Sequence, residues 1–302
     1  MDRLQQAISK ARRERSSGSE TETASPVGAA ISAARHSAAA ARAPEPASRP
    51  EAPPPEAKRH VPGDLASRWA EFKPLEVSAK SIQRNRLMAY ATGEHAIPYD
   101  MLRTRILQVA RKKNWKRIAI VSPESAVGKT TITANLGLSF SRMRDKRTMV
   151  IDFDMRRMGL GKVLGAKLQH SMADVLQRRV PFAQHGLSHD TNVVFGLNKA
   201  RVQNTSELLQ DPMSAAVLSE LEETYQPDIM LFDTPPLMAS DDSHGFLQLV
   251  DCALLIVAAE RTPMDRIDVA ERQLSELTNV MGIVLNRCRY VSGAHGYEND
   301  YY

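Results

Sequence analysis

The chain has 302 residues, room for one α/β domain and flanking segments. Its 40 Lys and Arg against 35 Asp and Glu leave a net charge of +5, too mild to imply nucleic acid, and at 5% aromatics no basic-aromatic interleaving suggests a base-stacking surface. The two cysteines, Cys252 and Cys288, lie in apolar strand-like runs without CxxC spacing, which predicts buried thiols and excludes a disulfide framework or a cysteine metal site.

No apolar run nears the roughly 18–20 residues that span a bilayer, and residues 1–15 (MDRLQQAISKARRER) are too polar for a secretory signal. A cytoplasmic chain without a transmembrane segment is expected. Leu4, Ile8 and Ala11 share one face of residues 1–15 and cations line the other, the pattern of a short amphipathic helix. It reads either as a docking element for a membrane surface or partner, or as a frayed terminus, because so short a helix is marginal alone. Residues 16–62 are rich in Ser, Ala, Pro and Glu and nearly empty of large apolar side chains, so they cannot offset their ordering entropy and read as a disordered linker.

A folded domain is expected over residues 63–292. Trp69, Phe72 and Leu75 suggest an extended lead-in packed on the core. Residues 97–114 read as a helix, with Pro98 in its first turn and Arg111, Lys112 and Lys113 in its last. Further helices are predicted from Ser171, over 205–225 with Thr205 as N-cap, and over 263–278. Buried strands are predicted at 117–121, 149–151, 192–196, 228–232, 251–258 and 280–285. Strands alternating with helices predict an α/β fold with a doubly wound, mostly parallel sheet. Residues 293–302 form a polar tail containing Tyr297, Tyr301 and Tyr302.

The most informative stretch is VSPESAVGKTT, residues 121–131, between the first of those strands and a helical pattern. Strand, loop, Gly-Lys-Thr and helix form the context of a phosphate-binding P-loop. Backbone N–H groups at a helix N-terminus favour an anion. Gly128 lets the backbone approach the phosphates, Lys129 can reach the β- and γ-phosphates, and the Thr130 hydroxyl can hold Mg²⁺. Pro123 stands where the full GxxxxGK[ST] pattern has its first glycine.

Asp152, Asp154 and Asp233 each sit at the predicted carboxyl end of a strand, where open α/β sheets bind ligands. An Mg·ATP site needs such a carboxylate to orient the metal's water shell. Of Asp152 and Asp154, one could bind metal and one could take a proton from an attacking hydroxyl. The plainer alternative is that strand-end aspartates cap the next helix. There is no HExxH pair and no nucleophile elbow, and Asn198-Lys199 is followed by Ala200-Arg201 rather than completing the guanine-reading Asn-Lys-x-Asp, which favours ATP over GTP.

With these motifs assembled, the chain resembles the bacterial tyrosine kinases of the capsular or exopolysaccharide type, the CpsD/CapB-like family on the MinD/ParA-like branch of P-loop NTPases. The resemblance covers about residues 96–302. It is carried by SPESAVGKTTITANLGLSFSR as Walker A, TMVIDFDMRRMGL as Walker A′, NTSELLQDP, and DIMLFDTPPLMASDD as Walker B. It implies ATP-dependent tyrosine autophosphorylation in trans between neighbours, with Tyr297, Tyr301 and Tyr302 as acceptors. It implies that Gly128, Lys129, Thr130 and Thr131 bind phosphate, that Thr130, Asp152 and Asp233 serve Mg²⁺, and that Asp152 and Asp154 serve metal and tyrosine activation. Asn286 and Arg287 fall where relatives contact adenine. A membrane polysaccharide co-polymerase on a separate chain is the implied activator, placing this chain at the inner membrane through a partner. The family's ring-forming Glu-x-x-Arg-x-x-Arg helix survives here only as Arg103, within Ile97-Pro98-Tyr99-Asp100-Met101-Leu102-Arg103. Two other readings share the fold: a MinD/ParA-like ATPase switch, against which Glu124 stands where that group carries a lysine, and a non-catalytic nucleotide-binding adaptor.

Overall fold

The computed structural model describes residues 64–239 and 244–288; the expected amphipathic helix, the linker and the tyrosine tail lie outside them. Eight strands form one sheet: β1 (Lys73–Pro74), β2 (Arg117–Val121), β3 (Thr148–Asp152), β4 (Leu187–His189), β5 (Val193–Gly196), β6 (Ile229–Asp233), β7 (Cys252–Ala258) and β8 (Asn279–Asn286). Their order is β1-β4-β5-β3-β6-β2-β7-β8, and only the β4–β5 pair is antiparallel. This is the expected doubly wound, mostly parallel sheet.

Side-chain alternation divides the interior into two cores. Ala119, Val121, Met149, Ile151, Met230 and Phe232 point to one face. Ile118, Ile120, Val150, Ile229 and Leu231 point to the other. Both faces of the central strands are covered, so β3, β6 and β7 are buried along their whole length and read as continuous apolar runs. The second face is packed by α3 (Ile97–Lys113), α4 (Lys129–Ser141) and α5 (Gly159–Leu164). The first is packed by α1 (Leu65–Ala70), α6 (Met172–Leu176), α7 (Phe182–His185), α8 (Thr205–Gln210), α9 (Pro212–Tyr225), α10 (His244–Leu247) and α11 (Met264–Leu277). A short helix, α2 (Ala79–Arg84), lies against α5.

Four expectations need correction. Trp69 is not extended but helical, in α1, and its indole N–H donates to the Tyr225 carbonyl at 2.8 Å. The single helix expected over 205–225 is two. Pro212 disfavours helical geometry at the residue before it; Asp211 is extended, with φ −64° and ψ 129°, and its carboxylate accepts from the Met213 N–H to cap α9. Asn204, not Thr205, is the N-cap of α8. Cys252 is buried, but Cys288 lies past the end of β8 and is exposed. β4, three residues long, went unpredicted because its signal is too short to stand out from a loop.

Candidate nucleotide and metal site

The site grows from three adjacent strand ends. β6 lies between β3 and β2, and Asp152 at the end of β3 pairs in register with Asp233 at the end of β6. β2 leads into the P-loop, which delivers Lys129 as the first residue of α4. The Walker B loop holds the P-loop from beneath: the Leu237 N–H donates to the Ser122 carbonyl at 2.8 Å and the Met238 N–H to the Pro123 carbonyl at 3.2 Å. Pro123 thus loses nothing by lacking an N–H, since its carbonyl is the group in use.

Lys129 Nζ donates to Asp233 Oδ1 at 2.6 Å, and both residues are buried, at 6% and 0% exposure. Thr133, one turn along α4 from Lys129, places its hydroxyl 3.4 Å from the same oxygen. Asp233 Oδ2 is buried without a hydrogen-bond partner. Asp152 and Asp154 are buried beside this pair. Asp152 accepts backbone N–H bonds from Asp154 at 3.1 Å and Leu160 at 3.3 Å, and its carbonyl accepts from the Asn198 side chain at 2.7 Å. The N–H groups of Phe153 and Asp154 both donate to the Asp233 carbonyl, tying the Walker A′ turn to β6.

The electrostatics are unbalanced. Three buried carboxylates face one ammonium. Burial, then the charges of Asp233 and Asp154, pushes the Asp152 carboxyl well above its ordinary range. Burial pushes Asp154 up as well, against the pull of Lys129. A site that strains to hold its own negative charge, with an orphaned carboxylate oxygen, fits a divalent cation. Among the described residues no three His, Cys, Asp or Glu side chains converge into a metal cage. Mg²⁺ needs none, because it keeps several waters and binds one or two carboxylates together with substrate phosphates.

The remaining expected residues gather around the loop. Gly128 adopts φ +97°, and a Cβ there would lie 2.3 Å from the Asn286 amide nitrogen. That amide donates to the Val127 carbonyl at 2.7 Å, so the end of β8 is fastened to the P-loop. Thr130 lies against Gly159, where an added Cβ would meet its side chain at 3.1 Å. The Thr131 carbonyl accepts from Asn135. Arg287 follows β8 at φ +61° with its side chain exposed. Tyr297, Tyr301 and Tyr302 lie outside the described residues. Sequence reasoning missed Thr133, Asn198 and Gly159; only Thr133 carried a signal, four residues from Lys129 on the same helix face.

Comparison with known proteins follows the same lines. The chain matches the CobQ/CobB/MinD/ParA nucleotide binding domain over residues 118–299. AmsA of Erwinia amylovora is 26% identical over 238 residues, which are 73% of this chain and 31% of AmsA. Tyrosine-protein kinase CpsD of Streptococcus pneumoniae serotype 4 is 29% identical over 177 residues, which are 57% of this chain and 76% of CpsD. The chain thus spans less than a third of the length of the first and about three quarters of the second. The crystal structure of the VpsO kinase domain shares the fold, with a TM-score of 0.59 at 23% identity, covering 70% of this chain and all of that one.

Proposed function

The chain belongs to the CobQ/CobB/MinD/ParA nucleotide-binding family, and on that premise we propose that it is an ATP-dependent protein-tyrosine autokinase regulating polysaccharide polymerisation and export. The observation that carries the reading is the buried Lys129–Asp233 pair, with the orphaned Asp233 Oδ2 and two further buried carboxylates beside it.

In this reading Gly128, Lys129, Thr130 and Thr131 cradle the phosphates of ATP, and Asn286 and Arg287 flank its base. Thr130, Asp152 and Asp233 would hold Mg²⁺, which when bound neutralises charge on the β- and γ-phosphate oxygens. Asp154 accepts the proton of the tyrosine hydroxyl; a carboxylate raised by burial is the stronger base for that task. The phenolic oxygen then bonds to the γ-phosphorus, the bond from that phosphorus to the β–γ bridging oxygen breaks, and ADP leaves. The acceptors are Tyr297, Tyr301 and Tyr302 of a neighbouring copy.

The tyrosine-protein kinase name of CpsD, whose length this chain largely spans, supports the reading over an ATPase switch. So does Glu124, whose carboxylate lies 3.5 Å from both Thr262 Oγ1 and Arg266 Nη1 of its own chain. Among the described residues no helix is long and apolar enough to cross a membrane; a separate membrane-bound co-polymerase as activator, holding the chain at the cytoplasmic face of the inner membrane, belongs to the same proposal.

The test is phosphosite mapping by mass spectrometry after incubation with Mg·ATP, on the native chain, on Lys129→Met, and on a variant with Phe at 297, 301 and 302. Phosphate on those tyrosines of the native chain alone is the expected result. ATP turnover without phosphotyrosine, even with a membrane-partner fragment present, would replace the kinase by an ATPase switch.

A further inference from the structure

Two donors meet at Asp233 Oδ1, and one of them has no role in the reading above. Lys129 Nζ lies 2.6 Å away. The Thr133 hydroxyl, from the next turn of α4, lies 3.4 Å away. That hydroxyl carries a single proton and has a second acceptor within reach, because the Lys129 carbonyl is 3.1 Å from it. The carbonyl is the nearer of the two, so Asp233 draws chiefly on Lys129 and the hydroxyl stands beside it in reserve.

The helix itself has no need of that hydroxyl. In an α-helix the Lys129 carbonyl is served by the backbone N–H four residues on. A threonine side chain that bonds to the same carbonyl slightly destabilises and bends a helix rather than strengthening it. Thr133 is buried, and its sequence neighbours Ile132 and Ala134 are buried and apolar. A buried hydroxyl costs stability unless it is hydrogen-bonded, and valine would fill the same space without one. The group in this position that gains from a neutral donor is the Asp233 carboxylate.

We propose that Thr133 is a positioning residue for Asp233, donating to Oδ1 once Lys129 has turned to the phosphates of a bound nucleotide. The inference rests on the proposed function for that movement of Lys129, and not on which group accepts the phosphate. A carboxylate oxygen that is buried and loses its donor bears the full penalty of its lost hydration. Thr133 removes that penalty by turning its proton about its own C–O bond, with no movement of the backbone. Held at Oδ1 from the helix side, the carboxylate keeps Oδ2, which has no hydrogen-bond partner, directed at the place of a divalent cation. Lys129 and Thr133 thus act in turn on one oxygen, the first without nucleotide and the second with it.

The test is a double-mutant cycle on the full chain, read by isothermal titration with Mn²⁺, which requires no phosphate transfer. In the native chain Thr133→Val should change the affinity for Mn²⁺ alone by less than about threefold, because Lys129 holds Asp233. In the Lys129→Met background, where Thr133 remains as donor to Oδ1, the same substitution should weaken Mn²⁺ about tenfold, the worth of a hydrogen bond to a charged group. With ADP present, Thr133→Val alone should also weaken Mn²⁺ about tenfold, and Thr133→Ser, which keeps the hydroxyl, should restore it. Thr133→Ala, which loses the hydroxyl without a new methyl to fit, is run beside Thr133→Val and carries the cycle if the valine variant does not fold; urea midpoints decide that. Equal effects in the two backgrounds, no effect in either, or a serine variant as weak as the valine would each overturn the assignment. A cycle that comes out as expected while phosphosite mapping finds no phosphotyrosine would remove the autokinase reading and leave Thr133 in its role.

Discussion

Lys129 and Asp233, 104 residues apart, hold each other in a buried ion pair of 2.6 Å while the second carboxylate oxygen of Asp233 stays without a partner. Each charged group is thus engaged by the other, with one carboxylate oxygen to spare. In the proposed function, nucleotide binding would give the ammonium phosphates to meet and release the carboxylate toward a cation.

That pairing predicts a competition. At an effective dielectric of about 20 a charge pair near 4 Å is worth about 4 kcal/mol, so Lys129 should oppose metal binding in the absence of nucleotide. Lys129→Met should bind Mn²⁺ alone at least about tenfold more tightly than the native chain, while losing nucleotide binding and phosphate transfer. Isothermal titration with Mn²⁺, with and without ADP, reads both. Unchanged Mn²⁺ affinity would show that Asp233 is not part of the metal site.

A second prediction concerns Gly128 and Asn286. Gly128→Ala meets two obstacles, the left-handed backbone at φ +97° and the Asn286 amide 2.3 Å from the new Cβ. It should cost about 1–3 kcal/mol of stability and most of the nucleotide affinity. Adding Asn286→Ala removes the collision but not the backbone strain, so the double variant should recover part of the loss. A double-mutant cycle by urea denaturation measures the coupling; simple additivity would mean that the two residues do not meet.

Much of this centre was legible in the chain because each part is local. Gly-Lys-Thr follows an apolar strand, and Asp152 and Asp233 end theirs, so the sequence pattern alone brought them to one edge of a parallel sheet. Asn286 was reached only through the family resemblance. Its contact with Val127 spans 159 residues and depends on β8 being placed beside β7, which no periodicity encodes. The break at Asp211 was available from Pro212 but was outweighed by the apolar helical spacing on either side. Cys288 was misjudged because the apolar run before it ends two residues earlier, with β8 at Asn286.

Arg103 carries a third prediction. By the family resemblance it would be all that is left of a ring-forming motif, yet its guanidinium points inward, donating to the Ser139 carbonyl at 2.5 Å and lying 3.3 Å from Asp100. Asp100 also accepts from the Ser139 hydroxyl and from Arg142. Arg103→Ala should therefore lower stability, by about 1–3 kcal/mol, and leave association unchanged. Self-association through α3 would use its outer side, where Ile97 and Met101 are 52% and 48% exposed one turn apart. Replacing both with Glu should weaken it. Sedimentation velocity and urea denaturation separate the two cases, and an Arg103→Ala variant of native stability that dissociates would return Arg103 to the interface.

The last prediction is a pH dependence away from the catalytic centre. His185 is buried in α7, and its Nε2 has no hydrogen-bond partner among the described residues. Burial, helped by nearby His170, lowers its pKa from 6.5 to about 4. Between those values the unfolded chain binds the proton and the folded chain does not, so stability falls as pH falls from about 6.5 toward about 4. Above 6.5 both states are neutral and the group contributes no slope. The full effect is at most roughly 3 kcal/mol. His185→Gln keeps a polar side chain but does not titrate. Urea denaturation at pH 7 and pH 4.5 should show a smaller loss of stability on acidification for the variant than for the native chain. Equal losses would mean that His185 titrates in the fold as it does in the unfolded chain, so that its burial costs the imidazolium nothing.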